Sequence, residues 1–202
     1  MIKKVLAAAA LTAVAFGAQA TLNGGVAANQ SSSSFIVLSA SNVSGGALYS
    51  GASVPGVAAV PLNSSPPKLT VGTWLAAGPS NTNNGGGAAT VTFATPTAFA
   101  SFLWGSPDTY NTLDVTTSVA SYSYTSADFA LVANGNQNFA SYLGFNATGG
   151  ETILSMTFKS PATNAFEASN FSVTPVPEPE TYALMLAGLG AIGFVTRRRK
   201  SA

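Results

Sequence analysis

Thr152-Ile153-Leu154-Ser155-Met156-Thr157-Phe158-Lys159 is the stretch from which the fold class is read. Leu154, Met156 and Phe158 alternate with Ser155, Thr157 and Lys159, the two-residue period of a strand with one face in a core and one in water. Outward from it, short runs of β-branched and aromatic residues recur in both directions, separated by Gly, Asn and Pro. Towards the N-terminus these are Phe139 to Phe145, Phe129 to Val132, Val119 to Tyr124, Leu113 to Thr117, Phe99 to Trp104, Thr90 to Phe93, Leu69 to Leu75 and Phe35 to Leu38. Towards the C-terminus, Ala165 to Glu167 and Phe171 to Thr174 complete the set. Asn81 to Gly87 and Asn134-Gly135-Asn136 read as turns. Many short strands and no long amphipathic helix predict an all-β body over residues 68–174, an antiparallel β-sandwich of jelly-roll type. Its expected core is Trp74, Phe93, Phe102, Leu113, Leu143, Phe158 and Phe171. Residues 21–67, rich in Ser, Gly, Ala, Asn and Pro, are expected to be mostly loop. The runs are too short for an outer-membrane barrel, whose strands need about 9–11 residues, and no fixed-period repeat is present.

Charge excludes several function classes. Between Thr21 and Pro177 the charged residues are Lys68, Lys159, Asp108, Asp114, Asp128, Glu151 and Glu167, a net 2 − 5 = −3 within an overall +1. Two cations cannot neutralise a run of phosphates, so nucleic acid is not an expected partner. The chain has neither His nor Cys, which removes the Ser-His-Asp triad, the Cys nucleophile, the usual zinc ligands and disulfides. No cofactor and no metal site are expected.

Both ends carry addresses. Lys3 and Lys4 precede an apolar run from Val5 to Phe16, and Ala18-Gln19-Ala20 fits a small-x-small cleavage pattern. Residues 1–20 therefore read as a signal peptide with a mature start at Thr21, handled by the export machinery. At the other end, Val176-Pro177-Glu178-Pro179-Glu180 leads into an uncharged stretch over 181–196 and then Arg197-Arg198-Arg199-Lys200. As a helix, 16 residues rise about 24 Å, a little short of a usual membrane span. The cations mark the cytoplasmic side, so the body faces outward.

The Pro-Glu-Pro tripeptide, short apolar helix and Arg-rich terminus over 175–202 together resemble the PEP-CTERM sorting signal. That resemblance implies a Gram-negative exported protein whose tail is cut near Pro177-Glu178-Pro179 by an exosortase. The precursor would sit transiently in the inner membrane. The body would then pass to the cell surface or extracellular matrix, in association with exopolysaccharide and biofilm and without enzymatic activity.

Leu103-Trp104-Gly105-Ser106-Pro107-Asp108-Thr109-Tyr110-Asn111-Thr112-Leu113 is the sharpest internal motif. Gly105 and Pro107 suit a corner, and Asp108 or Asn111 can satisfy turn N–H groups. Trp104, Asp108, Tyr110 and Asn111 form the candidate ligand site, an aromatic platform beside polar groups for a sugar. The other reading is a buried Trp and a Tyr bracing a hairpin. The segment also resembles a subfamily of exosortase-dependent surface proteins, with a second element at Asn164 to Phe171 in which Ser169 departs from the usual Asp. Asp108, Asn111, Glu167 and Asn170 are suitable types for calcium, though no calcium-loop spacing is present. Glycoside hydrolysis needs two facing carboxylates, and nothing in the spacing of the five in the body brings two together. Asn29, Asn42, Asn63, Asn146 and Asn170 begin sequons, unremarkable in so Asn- and Ser-rich a chain.

Overall fold

The strand quoted above exists, but its parity breaks within it. In a computed structural model that describes residues 21–27, 34–50, 72–161, 166–176 and 184–192, strand β9 runs Ile153–Lys159. Met156 and Phe158 are buried as expected, whereas Leu154 is 38% exposed and Ile153 takes its place in the core. The cause is a register irregularity. Ser155 pairs with Thr92 and Ile153 with Thr97, so four residues of the neighbouring strand stand against Leu154 alone. Such a bulge turns a side chain to the other face.

That neighbour organises the molecule. Thr90–Phe93 and Phe99–Trp104, expected as separate strands, belong to one 20-residue strand, β5 (Gly86–Gly105). Its first half pairs with β3 (Val43–Ser50) and β9, and its second half with β8 (Ala140–Thr148) and β10 (Phe166–Pro175). Between the halves lie exposed Ala94, Thr95 and Pro96. Pro96 has no N–H to offer a ladder, which suits it to this interruption.

The strands among the described residues form one 10-stranded sheet rather than two packed sheets. Strand β4 (Thr73–Ala77) pairs with both β3 and β10, and β10 and β3 both pair with β5. The circuit β5–β3–β4–β10 therefore closes on itself, and the architecture is barrel-like. The all-β expectation holds, and the sandwich is replaced. One half of β5 pairs with β3 and the other half with β10, and β4 joins those two, so the ladder returns to β5 and the sheet closes. Strands β6 (Thr112–Thr117) and β7 (Ser121–Thr125) extend it beyond β9, and β1 (Thr21–Ala27) extends it beyond β8. β2 (Ser34–Phe35) adds two residues to β10.

All seven expected core residues are buried. Six share one cluster with Trp104, Phe145 and Phe166, while Trp74 packs apart with Ala76 and Tyr49. Phe102 meets Phe158 edge-on at 5.1 Å and stacks on Phe171 at 5.6 Å, geometries that ring quadrupoles favour.

Two further expectations need correction. The segment read as mostly loop, 21–67, supplies β1, β2 and β3 among its described residues. Several of its glycines are strand residues where a neighbour leaves no room for a side chain. A Cβ at Gly24 would stand 2.6 Å from the Phe145 ring. The run Phe129 to Val132, expected as a strand, is instead the end of a 3-10 helix (Ser126–Phe129) that stops at Ala130 in the left-handed region, φ 52°. Asp128 starts that turn by accepting from Thr125 N–H at 2.7 Å, a local bond the apolar pattern does not show.

Candidate functional site

The corner after β5 is built mainly from backbone. Ser106 has φ 35° and donates its N–H to Phe139 O, while Gly135 N–H bonds Pro107 O. Asn111 N–H reaches Asp108 O at 3.3 Å and closes the turn. Tyr110 Oη donates to Asp108 Oδ2 at 2.7 Å, and Ser106 Oγ donates to Glu167 Oε2 of β10 at 2.9 Å. Gly135 has φ 66°, and a Cβ there would meet Asp108 Oδ1 at 2.9 Å. Corner and 134–136 loop are therefore fitted to each other.

The four candidate ligand residues come together in sequence but not on one surface. Trp104 is 0% exposed and stacks on Phe166 at 4.3 Å. It is a core residue and offers no face to a sugar. Asn111 is likewise fully buried, with no hydrogen-bond partner for either amide atom. Only Asp108 and Tyr110 are half-exposed, and they are bonded to each other. The candidate calcium residues are also engaged. Glu167 accepts from Ser106, and Asn170, in the left-handed region at φ 50°, donates to Tyr142 Oη at 3.0 Å. Among the described residues no group of three or more His, Cys, Asp or Glu could hold a metal ion.

The remaining carboxylates are dispersed. Asp114 forms an ion pair with Lys159 on the neighbouring strand. Two bonds from Thr125, backbone first and then hydroxyl, hold the Asp128 carboxyl below its ordinary value of 3.8. Glu151 is a site that the spacing did not reveal. It is 2% exposed, and its Oε1 accepts from Thr117 Oγ1 and from Tyr122 Oη. That bond to Glu151 is the main cause raising the Tyr122 phenol above its ordinary 10.0, with desolvation second. Thr117, Tyr122 and Glu151 lie on different segments, so only strand pairing brings them together. Of the sequons, Asn42 and Asn170 already donate their amide nitrogens internally, and Asn29 and Asn63 lie outside the described residues.

The strands β1 and β10 stand next in sequence to the two expected addresses. Thr21, the expected mature start, opens β1 and pairs with Thr148, their hydroxyls 2.7 Å apart. Ala18 and Ala20 lie outside the described residues. At the other end β10 stops at Pro175, and Val176 N–H donates to Pro96 O at 2.9 Å. Pro177, Glu178, Pro179, Arg197, Arg198, Arg199 and Lys200 lie outside the described residues. Within the apolar stretch a helix, α1, is described over 184–192, with all its residues exposed. No helix among the described residues is long and apolar enough to cross a membrane.

No curated protein and no solved structure significantly matches the chain. Residues 175–200 match the PEP-CTERM protein-sorting motif, beginning on the last residue of β10, and this signal implies export with a membrane-anchored precursor processed by an exosortase.

Proposed function

We propose that the protein is a non-enzymatic surface or extracellular-matrix protein, delivered through its sorting signal and associated with exopolysaccharide in biofilm. The observation that carries this reading is the sorting motif at 175–200, joined directly to the last strand of the sheet. The body supports it by its surface chemistry. Its exposed faces are mainly Ser, Thr, Asn, Gly and Ala, which hydrogen-bond to polysaccharide without a long-range field. The corner favours no competing sugar-platform reading, because its Trp is in the core.

Intact mass and location in the native host test the proposal. A mass from Thr21 to the region of Pro177, recovered from the surface or matrix fraction, is the expected result. An intact Arg-rich tail retained in the inner membrane, in cells that process other sorted proteins normally, would overturn it.

A further inference from the structure

Strand register places Thr21, where β1 begins, and Val176, just after β10, at one end of the sheet. Thr174 of β10 pairs with Phe99 of β5, Phe99 with Asn146 of β8, and Asn146 with Asn23 of β1. These four residues make one row across the sheet. Every pairing in the row is antiparallel, so β1 enters the sheet at the end where β10 leaves it. Thr21 stands two residues before the row and Val176 two residues after it. Three strand spacings separate them, about 14 Å. The same end carries the turns at 94–97, 118–120 and 149–152, linked by Val176 N–H to Pro96 O and Ser118 N–H to Thr152 O. The corner at 105–111 lies at the opposite end, because Gly105 is six residues along β5 from Phe99, about 20 Å away.

We infer that the end bearing both processing points is the membrane-proximal end of the precursor, and that the corner at 105–111 is displayed away from the bilayer. The inference rests on the anchored-precursor reading and adds an orientation to it. Tether length is the first support. Val176 is eight residues from Leu184, where α1 is described, so the tail tether reaches about 28 Å at most. Thr21 is five residues from Phe16, the end of the leader's apolar run, a reach of about 18 Å. With both segments in one bilayer, the shorter tether cannot let the domain turn over, because its two ends are about 20 Å apart.

Charge is the second, independent support. The exposed or half-exposed charges among the described residues are Asp108, Asp114, Asp128 and Lys159. All four lie in the half nearer the corner. Asp108 is in the corner itself, Lys159 pairs with Thr112, Thr112 with Thr125 beside Asp128, and Asp114 is two residues from Thr112. At the other end the only described charge is Glu151, which is buried. A net negative half is repelled by anionic headgroups, whereas turns whose exposed residues are Ser, Val, Ala, Gly, Thr and Pro are not.

The chain has no Cys, so single-cysteine labelling reports this directly. Val119, 64% exposed in the 118–120 turn, and Thr109, exposed in the corner, are the two positions. Full-length Val119→Cys and Thr109→Cys chains carrying a fluorophore are reconstituted in vesicles of phosphatidylcholine and phosphatidylglycerol containing a headgroup spin label. Several-fold stronger quenching at position 119 than at 109 is expected. Equal quenching, or stronger quenching at 109, in chains that float with the vesicles overturns the orientation while leaving the anchor intact. Chains that fail to float overturn the anchored-precursor reading and the orientation with it.

Discussion

At Gly45 the backbone has φ 74°, and a Cβ built there would stand 2.0 Å from the carbonyl oxygen of Ala88. The contact is with backbone, so no side chain can swing aside. Gly45→Ala combines that overlap with a left-handed conformation and is expected to cost at least about 2 kcal/mol in urea denaturation. Trp104 poses the complementary question. Its burial against Phe166 makes Trp104→Ala a cavity mutation worth about 3–5 kcal/mol. A ligand platform would instead lose binding and keep its unfolding midpoint. At Asp128 the folded-state value is lowered, so its stabilisation is present above the unfolded value of 3.8 and is lost as pH falls through the folded value. Asp128→Asn should therefore flatten the fall of unfolding midpoint with acid below about pH 4. An unchanged acid slope would place the acid sensitivity elsewhere.

At the scale of elements, β10 joins the sheet to its address. Phe166 to Ser169 pair with β4, Ser172 and Val173 pair with β2, and β5 lies along most of the other side. The strand is complete at Pro175, before the Pro-Glu-Pro tripeptide begins. Cutting the tail beyond Val176 thus removes no ladder bond among the described residues. A chain of residues 21–176 is expected to unfold at the same urea midpoint as residues 21–202 in detergent, whereas residues 21–169 should fail to fold. The alternation in β9 was legible because Met156 and Phe158 obey the two-residue period. The shift at Leu154 was not, because it depends on extra residues in β5, some sixty positions away. The same holds at the corner. Its turn chemistry, Gly105, Pro107 and Asp108, is local and readable, but the Ser106–Glu167 bond depends on β10 arriving beside it, and the full burial of Asn111 is a matter of tertiary packing.

At the scale of the whole molecule, a closed circuit of strands stands in for disulfides, which a chain without Cys cannot form. The calcium question also belongs at this scale, because Asp108, Asn111, Glu167 and Asn170 come from two distant segments. Glu167 and Asn170 are held by Ser106 and Tyr142 rather than left to converge. Chelation with EDTA is accordingly expected to leave the thermal midpoint unchanged. A fall of several degrees, restored by calcium, would show that the corner binds the cation.

The sequence by itself determined the all-β class, the seven core residues and the sorting address. These are properties of local order: a period of two, the burial preference of large apolar side chains, and a tripeptide–apolar–basic succession read along the chain. Only the tertiary structure decided that the sheet closes as a barrel-like circuit, that Trp104 is core, that Glu151 meets Thr117 and Tyr122, and that β1 begins at the end of the sheet where β10 stops. Each of these is a matter of strand neighbours and register. Pairing between residues such as Thr21 and Thr148 is selected by the packing of the whole sheet, and a local pattern carries no information about which distant strand will lie beside it.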